Sequence, residues 1–219
     1  FDVCNGFDAR DPLSLPRVEG WEAGLGSHVE AMRGGRVAFA PTWGNATVSP
    51  MMWELLEGAG MDLVNDIGLT RIEGVDTAMP RMGAAWALSG NLEIEAQLGD
   101  KWPDCADDLT PEISLGMQLA EGRYDSAARA KIELRRVEVN EAMARVFDPA
   151  EGVDFIITAS NPDVAFGADG PLPGVFGGLE VGEGNNGRLT FPANLHGNPA
   201  ISIPTGTLDG LPIGLQVIG

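Results

Sequence analysis

The chain has 219 residues, enough for one sizeable domain or a large piece of one, and 44% of them are hydrophobic, which argues against wholesale disorder. Its net charge of -18, from 14 Lys and Arg against 32 Asp and Glu, argues against nucleic acid and anionic membrane surfaces as partners, because both need clustered basic charge. Two cysteines, Cys4 and Cys105, are too few for a disulfide framework and fit a reduced, cytoplasmic compartment; the longest apolar runs are strand-length, so no membrane span is expected.

The opening FDVCNGFDARD has no Met, no basic region and no apolar core of a signal peptide, and it reads as a start in mid-sequence. Residues 8–35 are loop-like, with Asp11-Pro12, Leu15-Pro16 and Gly34-Gly35 as breakers. Residues 36–41 (RVAFAP) read as a short buried strand. Ser49-Pro50 then supplies a cap and a first-turn proline for a helix through Trp53, Leu55 and Leu56, expected to stop near Gly58 and Gly60. Residues 62–67 read as the next strand, which makes a βαβ unit with parallel strands. Met79, Met82 and Trp86 are spaced by three and four, as on one helical face, with Pro80 in its first turn. Residues 99–110 form an acidic loop, and Thr110-Pro111 opens a helical pair broken near Gly122. The second helix of the pair carries Ala128, Ile132, Val139, Met143 and Val146 on one stripe, with Arg129/Glu133 and Glu141/Arg145 four apart on the outer side. Residues 153–158 are another buried strand, 161–190 a glycine- and proline-dense loop, and 200–203 and 213–218 two closing strands joined by a turn containing Asp209-Gly210. Five strands apolar on both faces require helices on both sides. The fold class is therefore α/β, with a mixed, mainly parallel central sheet flanked by helices.

Several stretches, in order, carry a family resemblance: RDPLSLP at 10–16, RVAFAP at 36–41 followed by Val48-Ser49-Pro50, DFIIT at 154–158, NLHGNPAISIP at 194–204 and GLPIGLQ at 210–216. Together they resemble the later part of the amidase signature family. The resemblance implies an α/β fold that cleaves carbon–nitrogen amide bonds with a serine nucleophile, a second serine that relays a proton and a lysine base, without metal or organic cofactor. A serine hydroxyl is a poor nucleophile until a neighbour takes its proton, and a desolvated lysine can do so. The family's glycine- and serine-rich loop has no match here: Gly34-Gly35 and Gly177-Gly178 are followed by Arg36 and Leu179. Lys101 sits among Asp100 and Asp104, and Lys131 in an arginine-rich helix; neither matches the family's base. No catalytic residue is therefore expected in this chain. It is expected to be the C-terminal portion of a single domain, residues 1–219, cut at both ends and inactive alone. Its partners would be a small-molecule amide, in the parent enzyme, and the missing N-terminal half or a second copy of itself. A non-catalytic remnant that binds a partner chain, or an aminoacyl-transamidase subunit, are the alternatives.

Within the resemblance, Trp86, Thr158, Ser160, Asn194 and His196 are the candidates for lining the substrate. Thr158 and Ser160 end a buried strand, where ligands gather in α/β sheets, although a plain turn would use the same residue types. Trp86 at helical spacing also fits a core role, and His196 a hydrogen-bonded loop. Residues 182–187 (GEGNNG) match G-x-G-x-x-G literally, but the segment after them does not read as a helix, so a loop is preferred to a nucleotide site. The acidic residues of the 99–110 loop lack a calcium-loop pattern, and His28 and His196 carry no metal-ligand spacing.

Overall fold

A computed structural model of the chain describes residues 5–12, 14–123 and 125–219, with the side chains of 84–89 outside the description; Cys4 and the Trp86 side chain thus lie beyond it. The elements run α1 (Val29–Met32), β1 (Arg36–Phe39), α2 (Pro50–Ile67), β2 (Thr70–Arg71), α3 (Gly83–Leu98), α4 (Pro111–Ala120), α5 (Ser126–Val146), β3 (Phe155–Ala159), β4 (Val175–Phe176), β5 (Leu179–Glu180), α6 (Phe191–His196), β6 (Ala200–Leu208) and β7 (Leu211–Ile218). Five of the strands form one sheet in the order β2-β1-β3-β7-β6, and β4 and β5 form a separate hairpin. The β2-β1 and β1-β3 pairings are parallel, and the β3-β7 and β7-β6 pairings antiparallel, so the sheet is mixed as expected.

The βαβ unit is present, but its elements differ from those read in the sequence. Residues 62–67 are not a strand: α2 runs on through Gly58 and Gly60 to Ile67, and the second strand is the short β2. A glycine inside a helix costs only about 1 kcal/mol relative to alanine, and here Gly60 is needed. A Cβ on it would stand 2.8 Å from the Phe39 ring and 3.2 Å from Ile157. The bare backbone lets α2 press onto β1 and β3. The helix stops instead at Gly68, whose φ of 79° places it in the left-handed region and turns its N–H to the Val64 carbonyl. β2 is held by Arg71, which lies 4.4 Å over the Phe39 ring and pairs with Glu57 and Glu73 at 3.0 and 2.5 Å.

Met79 and Met82 do not share a helical face with Trp86, because α3 begins only at Gly83; Met79 is instead buried in the core ahead of it. The acidic 99–110 segment contains two 3-10 turns, Gly99–Lys101 and Ala106–Asp108. Helices α4 and α5 flank Gly122 as expected, and the Asp125 carboxylate caps α5 by accepting from the Ala128 N–H at 2.7 Å. Ile132, Val139, Met143 and Val146 of the predicted stripe are buried, joined by Ala142. The ion pairs on this helix are Glu133–Arg136 and Arg135–Glu138, three apart, rather than the four-residue pairs expected from spacing.

The 161–190 stretch holds the β4-β5 hairpin and a 3-10 turn at Glu183–Gly187. The closing strands are longer than the sequence suggests. Asp209 and Gly210, with φ of 52° and 78°, form a two-residue turn that pairs Leu208 directly with Leu211. β1, β3 and much of β7 are buried, but β6 is largely exposed. It is the sheet's edge, and Ile201 on it is 60% exposed.

The contrast between the two helical glycines is testable. Gly58 faces open space, so Gly58→Ala should stabilise by about 0.5–1 kcal/mol. Gly60→Val should destabilise by about 1–3 kcal/mol through overpacking. Urea unfolding of both variants checks the pair; equal effects would remove the close-approach argument.

Candidate functional site

β3 leaves the core at Ser160, whose N–H donates to the Gly214 carbonyl and extends the ladder by one rung. Cross-strand register places Thr158 opposite Gln216 and Gln216 opposite Ser202, so these three, with Ser160 two residues on, share one face of the sheet. α2 occupies the other face. On the shared face the Ser160 and Ser202 hydroxyls are 2.5 Å apart. A Cβ at Gly214 would stand 2.7 Å from Ser202 Oγ and 2.9 Å from Ser160 Oγ. A side chain there would force at least one of the serine hydroxyls to move.

Beside the pair, β6 bulges. Pro204 pairs with Gly214 and Gly206 with Ile213, which leaves Thr205 as the extra residue. Thr205 Oγ1 and Gln216 Oε1 are buried and have no hydrogen-bond partner among the described residues. Native buried polar atoms are nearly always paired, so these two are exceptions, as are Trp43 Nε1 and Asn45 Oδ1 in the loop after β1.

Beyond Ser160 the chain runs through Asn161, Pro162 and Asp163 around a cavity of about 380 Å3, within the range of roughly 300–1,000 Å3 found for small-molecule sites. Met52, Phe166, Phe176, Pro212 and Ile213 supply its apolar walls, and Gly214 borders both the cavity and the serine pair. A wider cleft of about 640 Å3, lined partly by Glu73, Asp76, Asp148 and Glu151, offers carboxylates alone apart from Arg145. Backbone N–H groups of Glu151 and Ala150 hold the Asp148 carboxyl below the usual carboxylate range, as in a turn. No group of His, Cys, Asp and Glu able to hold a metal occurs among the described residues.

The site's surroundings are fixed by an amide clip. Asn185 is fully buried; its Oδ1 accepts from the Thr47 N–H at 2.8 Å and its Nδ2 donates to the Thr47 carbonyl at 2.7 Å. Arg188 donates to the Asn45 carbonyl at 2.8 Å; burial, and after it the charge of Arg81, push its guanidinium down. The 182–187 stretch is thus a structural clasp on the loop after β1. It follows the two-residue hairpin strand β5 and forms a 3-10 turn in place of the α-helix that opens at the glycines of a dinucleotide site.

The five candidate lining residues fall in different places. Ser160 lies in the serine pair, bonded to Gly214 and next in the chain to Asn161, both of which line the cavity. Thr158 is fully buried below it, and its hydroxyl donates to the Ala40 carbonyl at 2.7 Å, tying β3 to the end of β1. Asn194 and His196 sit exposed on α6. Asn194 Nδ2 donates to the Thr190 carbonyl, and His196 Nδ1 pairs with Asn198 Oδ1 at 2.7 Å, so these bonds stay within α6 and its exit. Trp86 belongs to α3, its side chain outside the description. Sequence reasoning missed Ser202, Thr205, Gln216 and Asn185. The available signal was a lone polar residue inside an apolar strand, as in AISI and GLQVI. Lys101 and Lys131 are exposed, and no base contacts either serine hydroxyl among the described residues.

With that geometry in view, the comparisons are specific. The family model described as Amidase matches residues 88–219. A glutamyl-tRNA(Gln) amidotransferase subunit of Streptococcus pyogenes is 36% identical over 100% of this chain and 47% of its own length. The corresponding Listeria monocytogenes protein is 37% identical over 113 residues, 52% of this chain and 22% of that protein. A solved bacterial aryl acylamidase of the amidase signature family superposes with a TM-score of 0.77 at 23% identity, over 100% of this chain and 46% of that one. A chain from a vestigial complex related to an s-triazine catabolic enzyme gives 0.71 at 20% identity, over 99% and 46%. The chain spans about half the length of the relatives it matches throughout.

The serine pair makes its own prediction. Gly214→Ala should cost about 1–3 kcal/mol by overpacking. Adding Ser202→Gly should recover part of it, because it removes the atom nearest the new methyl. A double-mutant cycle by chemical unfolding reads the coupling, and strict additivity would show that the serines do not crowd Gly214.

Proposed function

The chain belongs to the amidase family, and we propose that it is the C-terminal part of an amide hydrolase whose serine–serine–lysine triad is supplied from outside these 219 residues. In such a reaction a serine oxygen attacks the amide carbonyl, the carbon–nitrogen bond breaks, and water releases the acyl group as acid. The observation that supports the reading is a serine pair with no base beside it among the described residues, in a chain whose residues 88–219 match the amidase family. Ser160 and Ser202 hold each other's hydroxyls, but neither lysine of this chain reaches them. Without a base the pair does not act as a nucleophile.

The missing groups would arrive along β6. Its outer edge has no strand partner among the described residues, and Ile201 and the unpaired Thr205 and Gln216 atoms lie on β6 and β7. Each unpaired buried polar atom costs about 1–3 kcal/mol, a cost removed if the other half of the enzyme brings donors. A second copy of the chain is the substitute partner in its absence. One observation favours the transamidase alternative: 36% identity along the whole chain to an amidotransferase subunit. That reading shares the amide cleavage and differs in what receives the nitrogen.

The isolated chain is expected to release no ammonia from a simple carboxamide. Joined after the N-terminal half of the Streptococcus pyogenes relative, it is expected to do so. Ammonia release by the isolated chain, abolished by Ser160→Ala or Ser202→Ala, would overturn the external triad. A chimera that unfolds cooperatively yet yields no ammonia counts against the hydrolase reading itself.

A further inference from the structure

The cavity beyond Ser160 is uniform in one respect: its lining includes one charged side chain, and that is an acid. Phe166, Phe176, Met52 and Ile213 line one part of it and the neutral amides Asn161 and Asn186 another, and no lysine or arginine lines it among the described residues. Asp163 stands among them, half-buried, with Oδ1 accepting the Val164 N–H at 2.9 Å. Its carboxylate has no ion pair among the described residues, although the chain pairs several of its other acids with arginine. The overall charge of -18 adds to the same field.

Amide hydrolysis changes the charge of what occupies such a slot. A neutral carboxamide plus water becomes a carboxylate and an ammonium ion at neutral pH: the carbon–nitrogen bond is lost, a carbon–oxygen bond is gained, and the acid's proton ends on the amine. The acyl part is the same size before and after. Shape cannot separate substrate from product, but charge can.

We propose that Asp163 is a specificity-determining charge filter on this cavity, admitting small groups that carry a neutral amide and expelling the carboxylates they become. The proposal rests on the amide-hydrolase reading for its purpose, but its binding content stands on the cavity alone. It also names the ligand class: uncharged aromatic or short aliphatic carboxamides, with cationic analogues tolerated and anionic ones refused.

Three isosteric probes test it on the 219-residue chain: benzamide, benzoate and benzamidinium, titrated at neutral pH while the amide resonances of Phe176 and Ile213 are followed by NMR. Benzamidinium and benzamide are expected to bind, and benzoate roughly fivefold more weakly, the scale of a partly exposed charge interaction. Asp163→Asn keeps the acceptor for the Val164 N–H, so it preserves the turn while removing the charge. It should bring the three affinities to within about twofold of one another, and added salt should narrow the gap in the unaltered chain. Benzoate binding as tightly as benzamide, an unchanged gap in the Asp163→Asn variant, or no shift at the cavity amides with any probe would each overturn the proposal. A silent chimera with the charge order intact would sink the hydrolase reading and leave the filter; the reverse result would do the opposite.

Discussion

The pairing of β3 on both of its edges organises this fold. It lies parallel to β1 and antiparallel to β7, and Ile156, Ile157, Thr158 and Ala159 are all fully buried. A hydroxyl in that position must find an acceptor, since an orphan would cost about 1–3 kcal/mol. Thr158 finds the Ala40 carbonyl, and so fixes where β1 ends relative to β3. From there the loop after β1 is held by Asn185 and Arg188 reaching across from the 182–188 segment. On the other side, Ser160 extends the ladder to Gly214 and meets Ser202. The cavity, the serine pair and the clasp are all consequences of where β3 stops.

How much of this was legible in the sequence depends on what each signal measures. Elements with their own punctuation were readable: the Thr110-Pro111 start of α4, the break near Gly122 and the Asp209-Gly210 turn depend on local backbone chemistry. Gly58 and Gly60 misled because the same residue type ends helices and permits close packing. Only the three-dimensional approach of Phe39 and Ile157 distinguishes the two uses. The 62–67 strand failed for a related reason. Its apolar residues, Leu63 and Val64 among them, face the sheet from a helix, and a short apolar run carries no period of its own.

The candidate site was half legible. The polar residues at the end of β3 could be named from position, because strand ends are where α/β sheets present chemistry. Ser202 and Gln216 could not, since their meaning comes from cross-strand register, and register is set by pairing partners many residues away. Asn194 and His196 sit in the most recognisable stretch of the chain, yet their hydrogen bonds shape the exit from α6 into β6. A motif can be strongly marked because it builds a strand entry rather than because it touches a ligand.

The serine pair shows why chemistry does not follow from residue type alone. Two hydroxyls 2.5 Å apart share one hydrogen bond, in which either oxygen can donate, and without a base neither gains nucleophilic character at neutral pH. Meanwhile Gln216 Oε1, an acceptor, and Thr205 Oγ1, which can donate or accept, are buried without a partner among the described residues. Thr205 lies on the edge strand β6 and Gln216 on its neighbour β7. Gly214 lines the cavity, lies against the serine pair and pairs with Pro204 just before the bulge at Thr205, so one register of β6 on β7 sets all three, and a slip of that register would move them together.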